Sequence, residues 1–257
     1  MNRLFWDIET SPNLVWSFDV GRKRYIHQQN IEEERAILCI CYKWEGESRV
    51  HSLTWDAENK CDKEMITKFI EVSQIADELV AHNGDHFDLK YFNGRALVHG
   101  IVHKGNFTTV DTLKIARKYF KLNSNSLDYL SKLLLGSKKI NTSFDLWRDT
   151  TLGCPKALSK MVKYCKKDVI LLQKVYEKLF EYAPASTHAG VLKGNDRWSC
   201  PKCGSESVYS NGSRVRASGI RQHMFKCKNC YAQYTISEGV ARKYFEFKSF
   251  QKNKSLS

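Results

Sequence analysis

Short apolar runs broken by turn residues fill the first half of the chain, and apolar positions at helical spacing take over after them. Residues 2–8, Ala36 to Tyr42 and Arg49 to Thr54 read as strands, the last two joined by a turn at Glu45-Gly46-Glu47. Lys63 to Gln74 repeats at helical spacing, Leu79 to Ala81 is a short strand ending at His82-Asn83-Gly84, and Phe87 to Val98 returns to helix. Phe107 to Val110 reads as a fifth strand, with helical stretches near Thr112–Phe120, Ser126–Leu135 and Lys156–Phe180. Strands first and helices later, around one sheet, predict a mixed α/β layer fold. Ala183 to Gly190 breaks the helical pattern with Pro, Gly and small residues. The expected organisation is a first domain over 1–182, a linker over 183–196, a small domain over 197–247 and a flexible Lys/Ser-rich tail over 248–257.

Composition narrows the class. Hydrophobic residues make up 42% of the 257 and charged ones 27%, a globular balance. No apolar run approaches the roughly 18 residues that a membrane span needs, and the opening residues meet Asp7 and Glu9 at once, unlike a secretory leader. A soluble cytoplasmic protein without a membrane partner is the expectation. The formal charge is +13, and residues 194–257 hold 12 Lys+Arg against 4 Asp+Glu. Such a surplus speaks to partners, nucleic acid first among them, and against it stands only a solvated basic surface. Of nine cysteines, Cys39, Cys41, Cys61, Cys154 and Cys165 are scattered and read as reduced thiols, whereas four form two tight pairs.

Three segments carry candidate chemistry. In Phe5-Trp6-Asp7-Ile8-Glu9-Thr10 the alternation of a strand turns Asp7 and Glu9 to one face and Trp6 and Ile8 to the other. Two adjacent carboxylates repel, so either water solvates them on an edge or a divalent cation compensates. In Lys156–Phe180, Leu158, Met161, Val162, Cys165, Val169, Leu172 and Leu179 form an apolar stripe, and Asp168 falls inside it with Tyr164 one turn before. A carboxylate there needs an ion pair or a metal. In His82-Asn83-Gly84-Asp85-His86-Phe87-Asp88 a strand ends and a helix begins; Asp85 is a candidate N-cap and Asp88 lies in the first turn. His82 and His86 read as loop residues, and Asp111 as a helix cap.

Taken together, Asp7-Ile8-Glu9, Asn83-x-x-x-Phe87-Asp88 and Tyr164-x-x-x-Asp168 resemble the three exonuclease motifs of the tyrosine branch of the DEDD superfamily, and among these the proofreading domains of family-B DNA polymerases. Val110-Asp111-Thr112-Leu113, Asn125-Ser126-Leu127 and the residues around Tyr164 follow the same order, and the resemblance spans about 1–182. It implies a ribonuclease H-like fold, a mixed five-stranded sheet flanked by helices, in a free-standing phage or bacterial enzyme working in the bacterial or phage-infected cytoplasm. It also implies two Mg²⁺ or Mn²⁺ ions held by Asp7, Glu9, Asp88 and Asp168, with Asp7 bridging both and Tyr164 orienting the attacking water. Where the other branch has a histidine, this chain has Lys163. By the same likeness, Thr10 and Ser11 are expected to contact the 3′-terminal nucleotide and Asn83 to position substrate. The chemistry suits the residues, because hard oxygen-seeking ions neutralise the attacking and leaving oxygens of a phosphodiester.

Near the end, Cys200-Pro201-Lys202-Cys203 and Cys227-Lys228-Asn229-Cys230 give two C-x-x-C turns separated by 23 residues. Two such turns complete a tetrahedral shell for one structural Zn²⁺, and a domain this small needs such a staple. His223 is a conceivable substitute ligand. The segment resembles the zinc ribbons of transposase-like and other DNA-binding proteins. Arg214, Arg216, Arg221, Lys226 and Lys228 interleave with Tyr209, Phe225, Tyr231 and Tyr234, so phosphate contact and base stacking are expected, with part of the aromatic set forming the core. The leading expectation is a 3′–5′ exonuclease preferring DNA over RNA. The alternatives are an RNA 3′-exonuclease and a catalytically silent protein that recruits replication or recombination proteins. Oligomeric state is open.

Overall fold

A computed structural model describes residues 1–19, 21, 25–105, 107–137, 140 and 142–254. They form two units, Asn2–Leu179 and, with Met1, a second beginning at Phe180. In the first, the strands are β1 (Arg3–Thr10), the short pair β2 (Leu14–Val15) and β3 (Ile31–Glu33), β4 (Ile37–Trp44), β5 (His51–Thr54), β6 (Glu78–Ala81) and β7 (Thr108–Asp111). The helices are α1 (Lys63–Ser73), α2 (Asp88–Val98), α3 (Thr112–Tyr119), α4 (Leu127–Leu135), α5 (Phe144–Thr151) and α6 (Pro155–Phe180). The main sheet runs β5-β4-β1-β6-β7. β1 pairs antiparallel with β4 and parallel with β6, and β6 with β7 is also parallel. This is the expected mixed five-stranded sheet in ribonuclease H-like order.

β1 sits at the centre because its sequence supplies apolar side chains to both faces. On one face, Trp6 stacks on Phe69 of α1 with ring centres 5.0 Å apart and meets Phe92 of α2 edge-on. On the other, Phe5 packs edge-on against Tyr176 of α6. Asp7 and Glu9 follow Phe5 at strand spacing and so face α6 as well. The β1–β4 register shifts between Glu9 and Thr10, immediately after the second acid. Pro155 begins α6 at the position where proline fits best, since the first helical N–H has no partner to lose.

α1 is tied to β4 through a buried carboxylate. Asp62 accepts from the Ile37 N–H at 2.9 Å, from Arg95 at 2.8 and 2.9 Å, and pairs with His99 at 2.6 Å. Burial works against ionisation, but Arg95, the Ile37 amide and His99 hold the carboxyl below its usual range. Asp62→Ala would strand the Arg95 guanidinium, so we expect it to cost about 3–5 kcal/mol. A urea melt checks this, and a cost under about 1 kcal/mol would assign the network to the weak surface pairs.

The second unit contains α7 (Ala189–Leu192), the strands β8 (Val208–Val215), β9 (Arg221–Cys227) and β10 (Gln233–Ser237), and α8 (Glu238–Lys254). The strands form an antiparallel sheet in the order β10-β9-β8. Trp198, Val208, Phe225, Ile236, Ala241 and Tyr244 make its core with Cys200 and Cys227. Two boundary expectations need correction. Residues 183–196 are not a loose linker: the Ala189 N–H donates to Pro201 O at 2.8 Å and Asn195 Nδ2 to Gly204 O at 2.7 Å, so this stretch braces the first cysteine turn. The tail is helical through Lys254, because Ala241 and Tyr244 anchor α8 to the sheet and Phe247 packs on Trp198. Residues 255–257 of the expected tail lie outside the described residues.

Candidate active site

The antiparallel register sets Asp7 opposite Cys41 and Glu9 opposite Cys39, so two acids and two thiols share the face covered by α6. One carboxylate oxygen each of Asp7 and Glu9 and the Cys165 sulfur lie within 4.8 Å of one another. Asp168, three residues beyond Cys165, is buried on the same helix and lines a cleft of about 500 Å³ together with Asp7. His82, Asn83, Leu113, Arg117 and Ser124 to Asp128 complete its walls. Asp88 approaches from α2, and its Oδ1 accepts from the Ile8 N–H, between the two β1 acids, at 3.1 Å. Four acids from distant positions are thus drawn to one strand. Their oxygens are hard donors suited to Mg²⁺ or Mn²⁺.

Asp88 is 2% exposed. Burial drives its carboxyl up to about 7; the Ile8 amide opposes the rise and the negative charge of Asp111 adds to it. In the metal-free fold this proton is therefore held up to about 7, while the unfolded chain releases it near 3.8. Native protein binds the extra proton across that window, so stability falls as pH rises through it. At pH 8 we expect Asp88→Asn to stabilise the magnesium-free protein by about 2–4 kcal/mol, and by almost nothing below pH 4. Thermal melts at the two pH values, with no pH-dependent difference between the proteins, would contradict this.

Other expected residues fall as follows. Glu9 Oε2 accepts from Trp147 Nε1 at 3.2 Å, and the Trp147 ring meets Tyr164 edge-on, with centres 5.9 Å apart. Tyr164 lines a neighbouring groove with Lys160, Lys163, Asp145 and Asp149 rather than the cleft of Asp7 and Asp168. Thr10 and Ser11 are buried, and Ser11 Oγ accepts from the Ala36 N–H at 2.9 Å, which gives that hydroxyl a structural task in place of nucleotide contact. Asn83 lines the cleft in a left-handed conformation at φ 65, its N–H donating to Asp111 Oδ1 at 2.9 Å. The same oxygen takes the Leu113 and Lys114 amides, so Asp111 caps α3 as expected. Asp85 does not cap α2; it pairs with Lys114 at 2.6 Å. Trp147 escaped sequence reading because α5 is one short helix whose start lacks a capping hydrogen bond. Arg117 escaped it because a cleft wall leaves no periodic trace, and Asn125, noted only within Asn125-Ser126-Leu127, has no role in that reading.

In the second unit, the sulfurs of Cys200, Cys203, Cys227 and Cys230 lie within 4.8 Å of one another. The Cys200–Cys230 and Cys203–Cys227 separations are 3.5 and 3.6 Å. A tetrahedral zinc with Zn–S bonds near 2.3 Å spaces its sulfurs by about 3.8 Å, so the set fits that ion. Gly204 closes the first turn at φ 76, with its N–H on Cys200 O and a side chain there confined by Ala189. The second turn closes with Tyr231 at φ 59, at a cost of roughly 1–2 kcal/mol relative to glycine. His223 pairs with Glu238 at 2.9 Å and is no substitute ligand. Tyr209 lies opposite Lys226 and Arg214 opposite Gln222, on the face away from Phe225 and Cys227. Arg216 bonds Gln222 and Lys228 sits over the Tyr209 ring, so both join that face, whereas Arg221 lies opposite Val215 on the other.

Over residues 25–147 the sequence matches the family described as predicted 3′–5′ exonucleases related to the exonuclease domain of PolB. That stretch includes Asp88 but not Asp7, Glu9, Tyr164 or Asp168. The family B DNA polymerase of the hyperthermophilic archaeon Pyrobaculum calidifontis superposes with a TM-score of 0.54 at 17% identity, over 70% of this chain and 24% of the polymerase. At that identity the likeness speaks for the fold. No curated protein matches the chain. The fold is the mixed five-stranded α/β sheet expected of the chain, and the acids lie against its central strand. More narrowly, the family match and the superposition support its resemblance to the PolB-type 3′–5′ exonucleases.

Proposed function

We propose that this protein is a divalent-metal-dependent 3′–5′ exonuclease that removes nucleoside monophosphates from DNA, with its cysteine-bound unit gripping the nucleic acid. One observation carries the reading: Asp7, Glu9, Asp88 and Asp168 gather around β1, with Asp7 and Asp168 in the wall of one cleft. Asp7, Glu9 and Asp168 would hold Mg²⁺ or Mn²⁺, with Asp88 supporting them. A pair of such ions, when bound, neutralises charge on the attacking and leaving oxygens of a phosphodiester. The chain's own residues do the rest. Trp147 fixes the Glu9 carboxylate, Asp88 stays docked on the β1 backbone, and the Asn83–Asp111 bond holds the loop beside the cleft. Tyr164, which lines the neighbouring groove and meets Trp147 edge-on, would reach the attacking water from that side. That the similar solved structure is a DNA polymerase supports DNA as substrate. The test is a 3′-labelled and a 5′-labelled single strand of DNA and of RNA, incubated with Mg²⁺ or Mn²⁺. Stepwise shortening of DNA from the 3′ end is expected. Preferential shortening of RNA would transfer the substrate, and binding without cleavage would leave only a recruiting protein.

The second unit supplies affinity through Arg214, Arg216, Lys226 and Lys228 around Tyr209. Removing one side-chain cation from a phosphate lowers the salt dependence by about one ion. Changing Arg214, Arg216 and Lys226 together to glutamine should therefore reduce the log–log salt slope by roughly 2–3, with little effect on turnover at saturating DNA. Arg221→Gln, on the opposite face, should change the slope least. Equal effects from both, measured by fluorescence anisotropy, would remove this face from binding and favour a protein-docking role.

A further inference from the structure

Behind the carboxylates lies a cluster that the hydrolytic reading does not use. Cys39 and Cys41 project from β4 beside Glu9 and Asp7, Cys165 faces them from α6, and their sulfurs lie within 4.8 Å of one another. All three are fully buried and free. Cys165 also touches Asp7: its Sγ lies 3.4 Å from Asp7 O and 3.5 Å from Asp7 Oδ2. Three thiols at that separation match a trigonal soft cation, whose sulfurs with bonds near 2.3 Å stand about 4 Å apart. We propose that Cys39, Cys41 and Cys165 form a second metal site, selective for thiophilic cations of the Zn²⁺, Cd²⁺ and Cu⁺ class, whose occupancy inhibits the adjacent centre.

The chemistry supplies both the selectivity and the inhibition. Mg²⁺ and Mn²⁺ prefer oxygen and leave these thiols alone, whereas a soft ion takes thiolate over carboxylate. Each thiol that binds releases its proton to solvent, so up to three protons leave per cation. Cys165 then stops being an S–H donor toward Asp7 and becomes an anion beside it. It also stands next to Tyr164 and three residues before Asp168, so a shift of this part of α6 reaches both.

The site itself is independent of the nuclease reading, and only the inhibition rests on it. The test uses the full-length protein with its four-cysteine site filled with Cd²⁺, exposed to excess Cd²⁺ in the presence of Mg²⁺ and then desalted. We expect two soft cations per chain by elemental analysis, and a cadmium–thiolate absorbance corresponding to seven thiolates rather than four. Cys39→Ala/Cys41→Ala should retain one cation, while Cys61→Ser/Cys154→Ser retains two. Turnover should fall roughly tenfold or more as the second cation binds, because a hydrogen bond to a charged group gives way to like-charge repulsion, and it should return with a dithiol chelator. One cation per wild-type chain overturns the site without reference to any variant's folding. Two cations with unchanged turnover overturn the inhibition. A chain that cleaves nothing even before cadmium is added defeats the nuclease reading, and the stoichiometry still decides the site.

Discussion

Asp7→Ala should slow metal-dependent shortening of labelled DNA by roughly a thousandfold or more, since several kcal/mol of charge stabilisation would go with it. The expectation follows from position. Asp7 is where the groups meet: it shares the cleft with Asp168, the carboxylate cluster with Glu9, and a close approach with Cys165. The fold should not suffer. Asp7 is only half-buried, and removing it relieves repulsion with Glu9, so the melting temperature should stay the same or rise slightly. Tight binding of DNA should persist as well. The informative measurement is single-turnover shortening at saturating protein beside a thermal melt of the same preparation. Near wild-type shortening by a well-folded Asp7→Ala would take this acid out of the chemistry and undo the proposed centre.

Removing zinc should have an equally large effect on the other unit. Its core consists of a few residues around Trp198, Phe225 and Tyr244, with Cys200 and Cys227 themselves among the buried positions. Small domains of this kind rarely gain more than about 3–5 kcal/mol from their core, while structural zinc contributes on the order of 10–16 kcal/mol. Chelation, or Cys203→Ser, should therefore unfold the region from about Trp198 onward. The near-ultraviolet signal of Trp198 should collapse, and protease should cut within β8 to α8. The first unit has its own core and should keep its melting transition. If chelated protein retains an intact, protease-resistant second unit and elemental analysis finds no zinc before treatment, the four sulfurs meet for some other reason.

The layer fold was readable because it rests on periodicity. β4 announces itself as a continuous apolar run, and β1 and α6 through apolar positions at strand and helix spacing, which the acids interrupt at Asp7, Glu9 and Asp168. The cysteine turns were equally plain, since spacing alone defines them. What escaped reading depends on pairing between distant segments. Nothing in Ala36 to Tyr42 reveals that Cys41 will lie opposite Asp7, because register is settled by the whole sheet. Trp147 gains its role only when α5 folds against Glu9 and Tyr164. The stretch after the first domain differs for a related reason: Ala183 to Gly190 has the composition of a linker, yet the Ala189 N–H finds its partner in Pro201. Local composition describes what a segment tolerates, and tertiary contacts decide what it does.

Asp111 illustrates a hazard for anyone testing the proposed nuclease activity by alanine substitution. One of its oxygens accepts amides from both the loop at Asn83 and the start of α3. Without it, the left-handed turn at Asn83 would lose its tether, and the wall of the cleft would slacken with it. An alanine scan scored only by lost cleavage would thus place Asp111 beside Asp7, Glu9, Asp88 and Asp168, the acids proposed to hold the ions. Counting bound manganese in each variant would separate the brace from the ligands.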